Sequence, residues 1–458
     1  MIKRLALINL ATFALASIMT ILYSSKILLF DLRVVLGFWW VFAITAILFA
    51  LKKRSLTTWI LVSMVIGIML GFQFPDIALN LQVLSKIFLK LIKTIIGPIL
   101  FATLVVGIAG HSDLKQLGRL GWKSLLYFEI VTTLALGIGL VAINISKAGS
   151  GIHLPPGYHH DLPPTTSVTW QHHILDIFPE NIAKAVAEGQ VLPIVVFSII
   201  FGVALALVPG NKKQAMLHFC ESLAETMFKF TKIVMYFAPV GVGAAIAHAT
   251  AELGVDILVA LLKLLSTLYV SLLVFVFVVL SSIMFIFKIP VKNFLKAVWE
   301  PVSIAFATTS SESALPKAME NMEKIGVPRK IVSFVLPTGY TFNLDGTTLY
   351  LSLATVFVAQ AANIDLSIWQ QITIGLVLML TSKGVAGVPR ASLVILTGAA
   401  ATFNLPLWPI MAILGIDELM DMGRTSVNVL GNCLASCVIA RSEKELDDEK
   451  LHAEFIVD

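Results

Sequence analysis

The sequence predicts an all-α polytopic membrane protein, on three observations. Hydrophobic residues fill 57% of its 458 positions, and the mean hydropathy is +0.90. Only 13% of residues are charged, against about 25% in soluble domains. Apolar runs long enough to cross a bilayer recur from end to end. The same facts exclude other classes. The net charge of +5 sits in short loops and not in a basic arm, so nucleic acid is not an expected partner, whereas membrane lipid is. Cys220, Cys433 and Cys437 lie in apolar stretches, and no CxxC or HExxH spacing occurs. Neither a disulfide framework nor a dedicated metal centre is expected.

The first 54 residues form a unit of their own, with apolar runs near 5–23 and 36–52. Met1-Ile2-Lys3-Arg4 ahead of an apolar run has the form of a signal peptide. A second run that ends in Lys52-Lys53-Arg54 favours an in-out-in helix pair instead. Further spans are expected near 56–73, 82–110, 122–146, 190–208, 222–248, 255–287, 331–362 and 405–440. Several exceed 25 residues and should tilt or extend into water.

The connections between spans alternate in charge. Those at Lys52–Arg54, Lys115–Lys123, Lys212–Lys213 and Lys288–Lys296 are basic. Those near Asp76, across 147–189 and near Glu252 and Asp256 are not. The positive-inside rule then places both termini in the cytoplasm.

Two segments break this alternation if each is counted as a span. Residues 293–328 carry a Ser/Thr cluster at their centre, and residues 364–404 carry a Ser/Gly/Pro break from Ser382 to Pro389. Re-entrant hairpins, one from each side, restore the alternation. Irregular backbone at membrane depth survives only where it lines protein or a cavity. Paired interrupted segments point to the binding site of an inverted-repeat transporter.

Four stretches carry the chemistry. The tip Thr308-Thr309-Ser310-Ser311-Glu312-Ser313 is dense in hydroxyls and in backbone N–H groups at a helix start, which favours an anion. The alternative is an ordinary Ser/Thr loop. In Pro337–Thr347, Gly339 and Gly346 favour a helix break, and Asn343 and Asp345 offer oxygen ligands to a hard cation. A buried Asp paired with a basic residue is the alternative. In the last span, Asp417, Asp421, Arg424, Thr425, Asn428 and Asn432 share one helix face, since i+3 and i+4 neighbours align. Such a stripe is costly in a membrane unless it lines a site. Arg424 can grip a carboxylate bidentately and Asp421 can take an ammonium. Equally, the two can form an internal ion pair that fixes packing. Finally, His153, His159, His160, His172 and His173 cluster in a proline-rich loop, read as solvated and not metal-binding.

At this point the motifs resemble a family. Ser310-Ser311-Glu312-Ser313, Asn343-Leu344-Asp345-Gly346-Thr347, Ala386-Gly387-Val388-Pro389 and Asp421-Met422-Gly423-Arg424-Thr425 occur in the order found in the glutamate/aspartate:cation symporters, the dicarboxylate/amino acid:cation symporter family. The resemblance covers about 55–441 and is closest to the bacterial proton-coupled branch. It implies eight transmembrane helices plus two re-entrant hairpins with inverted repeats, here preceded by the extra N-terminal pair. It also implies a homotrimer in a bacterial inner membrane, moving substrate by an elevator-type alternating-access mechanism. The domains then run 1–54 (extra pair), 55–289 (mainly scaffold), 290–441 (transport core with hairpin 1, broken helix, hairpin 2 and last helix) and 442–458 (cytoplasmic tail).

Carried over residue by residue, the resemblance implies that Arg424 holds the substrate's side-chain carboxylate and Asp421 its ammonium. Thr347, Thr425 and Asn428 would add hydrogen bonds, while Ser310, Ser311, Val388 and Ser392 would close over the ligand. Gly339, Thr341, Asn343, Asp345, Ser382, Asn428 and Asn432 stand where the family builds sodium sites. No organic cofactor is implied; the coupling ion is a proton, sodium or both.

Three departures favour protons. Asn432 stands in place of a frequent Asp, Leu344 in place of Met, and Glu312 in place of Ser, which supplies a carboxyl able to carry a proton. Arg390 replaces a commonly small residue at the gate. A C4-dicarboxylate carrier on the same fold would leave Asp421 without an ammonium. An enzyme would need a nucleophile elbow and a base in register, which this sequence lacks. Paired gates argue against a simple channel.

Overall fold

The computed structural model describes residues 2–25, 31–110, 114–152, 178–188, 191–382, 391–403 and 405–453. Among these every regular element is helical. The helices are α1 (Ile2–Ser24), α2 (Leu32–Lys53), α3 (Leu56–Gln73), α4 (Pro75–Asn80), α5 (Gln82–Ala109), α6 (Leu114–Ser146), α7 (Ile182–Glu188), α8 (Val191–Leu207) and α9 (Asn211–Met235). Next comes α10 (Ala238–Val274), extended by a π-helical turn (Phe275–Leu280) and α11 (Ser281–Ile286). The remainder are α12 (Val291–Thr308), α13 (Ser311–Lys324), α14 (Arg329–Phe342), α15 (Asp345–Ala361), α16 (Ile368–Ser382), α17 (Ala391–Thr402), α18 (Trp408–Leu414), α19 (Asp417–Ser442) and α20 (Asp448–His452).

Six of the described helices are long and apolar enough to cross a membrane, or seven if α9 and the first part of α10 count as one span bent by 50°. The chain is thus an integral membrane protein. That bend revises the unbroken span expected over 222–248. Pro239, in the first turn of α10, lacks the N–H that a continuous helix would use there. α10 itself turns at Gly254, whose φ of 65° is left-handed, so its second part is a separate span.

The helices pack as two groups. In one, α3 lies along the first part of α10, α5 packs on α8 and α9, and α1 packs on α2. In the other, α19 is surrounded by α12, α14 and α15, with α6 across α14, α15 and α16. From Gly423 to Ala440 every residue of α19 is buried, so its polar side chains must find partners inside the protein.

Both interrupted segments fold as helix pairs. α12 ends at Thr309, whose φ is 52°, and Ser310 then caps α13 by accepting from the Ser313 N–H at 3.3 Å. α16 and α17 pack on each other, but their connection at 383–390 lies outside the described residues.

A clasp closes the end of the second group where α6 begins and α19 finishes. Glu443 pairs with Arg119 and Lys123 of α6. Lys330 meets Glu445 at 2.8 Å, and the Asp447 N–H donates to the Gly326 carbonyl at 3.0 Å. Leu446 and Leu451 are buried beneath this strap.

Candidate functional site

The expected stripe on α19 is real and meets the break between α14 and α15. Asn343 and Leu344 leave the helical region, with φ/ψ of −114/78° and −105/64°. The expectation that Gly339 and Gly346 make the break is therefore corrected: both lie within helices. Their role is contact. A Cβ on Gly346 would strike the Arg424 backbone, and one on Gly339 would strike the Asn432 side chain. On the facing helix, a Cβ on Gly431 would strike the Asp345 carboxylate. Glycine at all three lets backbone and side-chain amides approach more closely than any other residue would.

Three polar clusters follow one another along α19. In the first, Arg424 donates from Nε to Asp421 Oδ1 at 2.9 Å and from Nη1 to Asp417 Oδ1 at 3.0 Å. Thr425 donates to the same Asp421 oxygen at 2.9 Å. The guanidinium lies 4.4 Å from the Tyr350 ring centroid, a cation–π contact. Asp421 Oδ2 is buried and, among the described residues, accepts no hydrogen bond.

One turn on, Asn428 Oδ1 accepts from the Gly346 and Thr347 N–H groups at 2.8 and 3.3 Å, and so caps α15 from another helix. Its amide donates to Thr347 Oγ1 at 3.0 Å. In the third cluster, Asn343 donates to Asp345 Oδ2 and to Asn432 Oδ1, both at 3.2 Å, and Asn432 returns a bond to the Asn343 carbonyl at 3.3 Å. Asn343 Oδ1 is buried and, among the described residues, accepts nothing.

The ladder is rich in buried carboxylates. Asp417 and Asp421 are buried beside the Arg424 guanidinium, Asp345 is buried in the third cluster, and Glu418 is buried next to Asp417 in the chain. The arrangement favours a bound cation, or protons, over neutral neighbours.

The other expected site residues lie apart from this ladder. Ser310 and Ser311 stand at the tip between α12 and α13, and Glu312 is exposed on the first turn of α13. Ser382 is buried and donates to the Met379 carbonyl of its own helix at 2.8 Å. Thr341 is half-buried near the end of α14. Ser392 is buried at the start of α17, with its hydroxyl lacking a partner. Among the described residues no hydrogen bond ties Ser310, Ser311, Ser382 or Ser392 to the ladder. Val388 and Arg390, like His153, His159, His160, His172 and His173, lie outside the described residues.

Two residues of the first cluster carried no assigned role in the sequence. Asp417 was on the stripe but without a function, and it is an ion-pair partner of Arg424. Tyr350 was unmarked; its signal is its place three residues after Thr347, on the same face of α15.

Comparison with known proteins places the chain in a family. The family described as sodium:dicarboxylate symporters matches residues 56–442, which leaves α1 and α2 outside. A proton/sodium-glutamate symport protein of Geobacillus stearothermophilus is 42% identical over 410 residues, covering 87% of this chain and 97% of its own. A proton/glutamate-aspartate symporter of Escherichia coli (strain K12) is 42% identical over 415 residues, covering 87% and 95%. A C4-dicarboxylate transport protein of Bacillus subtilis (strain 168) is 39% identical over 403 residues, covering 87% and 96%.

Proposed function

This chain belongs to the sodium:dicarboxylate symporter family, and on that premise we propose that it imports glutamate or aspartate together with cations, protons being the favoured ion. One observation carries the substrate class. Asp421, bound to Arg424 and Thr425 through one carboxylate oxygen, keeps a second buried oxygen without a donor. A buried acceptor of that kind is costly, and a substrate ammonium satisfies it. Arg424 has five N–H donors, two of them toward aspartates, so it can also grip a substrate carboxylate. A C4-dicarboxylate offers no ammonium and leaves the Asp421 oxygen unmet.

The buried carboxylates of Asp345 and Asp421 support cation coupling. Asn432 supports protons over sodium: its amide makes two bonds to Asn343 where a carboxylate would add negative charge and oxygen ligands. Glu312, exposed on α13, is a second place for a proton.

The remainder follows the family architecture. The α12–α13 and α16–α17 pairs act as re-entrant hairpins of inverted repeats, which completes a core of eight spans. The second hairpin is the outer gate. The group around α19 moves as the transport unit, elevator-fashion, against a trimer of the α3–α5–α8–α9 group. Both termini face the cytoplasm of a bacterium, across its inner membrane. No enzymatic step is involved.

The test is uptake of labelled glutamate and aspartate into proteoliposomes, under a pH gradient or a sodium gradient imposed separately, with succinate as competitor. Uptake on the pH gradient alone, resistant to succinate, is expected. A strict sodium requirement would overturn the ion assignment, and strong competition by succinate would overturn the substrate class.

A further inference from the structure

A groove of about 930 Å³ runs between α6 and the second part of α10, away from the polar ladder. Both walls belong to helices able to cross a membrane. Leu134, Val141 and Ile145 on one side and Leu262, Val270 and Val274 on the other are exposed apolar side chains that line it.

All but one of the hydroxyls in these walls are satisfied within their own helices, the exception being Ser146, whose buried hydroxyl has no partner among the described residues. Thr133, Ser266, Thr267 and Ser271 each donate to a carbonyl four residues earlier in their own helix, at 2.6–2.8 Å. Lys263 is the one charged residue of the lining, and among the described residues no carboxylate lies in ion-pair range of it.

Position adds to this. The span holding Lys263 begins at Asp256, which places the lysine about 10 Å along it at 1.5 Å per residue. From Lys263 to Val274 the groove continues for roughly 16 Å, close to the thickness of one hydrocarbon leaflet, about 15 Å. A lysine stem at this depth reaches toward the headgroup layer.

We infer that the groove is a binding site for an anionic phospholipid: one acyl chain lies between α6 and α10, and the headgroup phosphate sits on the Lys263 ammonium. The lipid belongs to the leaflet on the side of residues 147–152, where α6 ends and this span of α10 begins. Length, apolar walls and a single cation at one end match this amphiphile, and every membrane that surrounds the two helices supplies acyl chains. The site is independent of the substrate assignment, since no residue of the polar ladder contributes to it.

The full chain, reconstituted in phosphatidylcholine vesicles doped with phosphatidylglycerol and then re-extracted, would be assayed by native mass spectrometry for retained lipid. Wild type should hold phosphatidylglycerol in preference to phosphatidylcholine. Lys263→Gln should lower phosphatidylglycerol retention by about fivefold, the usual effect of one lysine near an anionic headgroup, and leave phosphatidylcholine unchanged. Gly137→Leu supplies a second, fold-preserving test. Gly137 lines the groove and a Cβ there meets no atom within 4 Å, so the new side chain should displace lipid of either kind. Equal retention in wild type and both variants, or no preference for phosphatidylglycerol in wild type, would overturn the inference.

Discussion

Arg424 binds two aspartates and a tyrosine face within a buried cluster, so its loss acts on both folding and recognition. Arg424→Ala should abolish uptake of acidic amino acids and destabilise the protein by about 3–5 kcal/mol, because buried carboxylates lose their cation. A melting curve in detergent checks the second part. Arg424→Lys separates the two effects: it restores charge but not the planar fork, so melting should recover more than substrate affinity does. Asp421→Asn removes the partner proposed for the ammonium. Succinate should then compete with glutamate far better than it does against wild type, and an unchanged competition curve would count against the assignment. Asn432→Asp places another carboxylate beside Asn343 and Asp345. Uptake in that variant should become responsive to a sodium gradient, read directly in proteoliposomes.

Between α15 and α19 the contact depends on side chains that are absent. Gly346→Ala pushes a methyl group into the Arg424 backbone, and overpacking of this sort costs about 1–3 kcal/mol. Thermal melting should show that loss together with weakened uptake, since both helices carry site residues. Hydropathy located the spans, and i, i+4 spacing located Asp421, Arg424 and Thr425, because both signals are local to one segment. The break in 329–361 was placed at Gly339 and Gly346 but falls at Asn343 and Leu344. A glycine that admits a neighbour and a glycine that ends a helix look alike until the neighbour is known. The Asn343–Asn432 pair, the Asn428 cap on α15 and the Tyr350 contact with Arg424 join segments some 80 positions apart, and no spacing rule reports them. The bend between α9 and α10 did have a local mark, Pro239, set inside a run whose apolar character hid it.

At the scale of the molecule, the clasp fastens α6, α14 and α19 to one another at a single end of the group that holds the ladder. The hydrogen bond from Lys123, reinforced by the charges of Lys123 and Arg119, holds the Glu443 carboxyl below its ordinary value of 4.5. A lowered carboxyl stabilises the fold fully above the ordinary value and ceases to do so as pH falls through the folded one. Melting temperature should therefore drop on acidification below about pH 4.5, and Glu443→Gln should flatten part of that drop. Identical curves for the two proteins would show that the clasp does not contribute. The ladder has a consequence at this scale as well. An ionised carboxylate of the ladder that crosses the bilayer without a neutralising cation does electrical work, about 2.3 kcal/mol per charge for each 100 mV. With the cell interior negative, that work is favourable in the outward direction. On the proposed elevator motion, the resting voltage would thus reset the unloaded carrier to face the medium, and a depolarised cell would slow its own uptake even with the ion gradient intact.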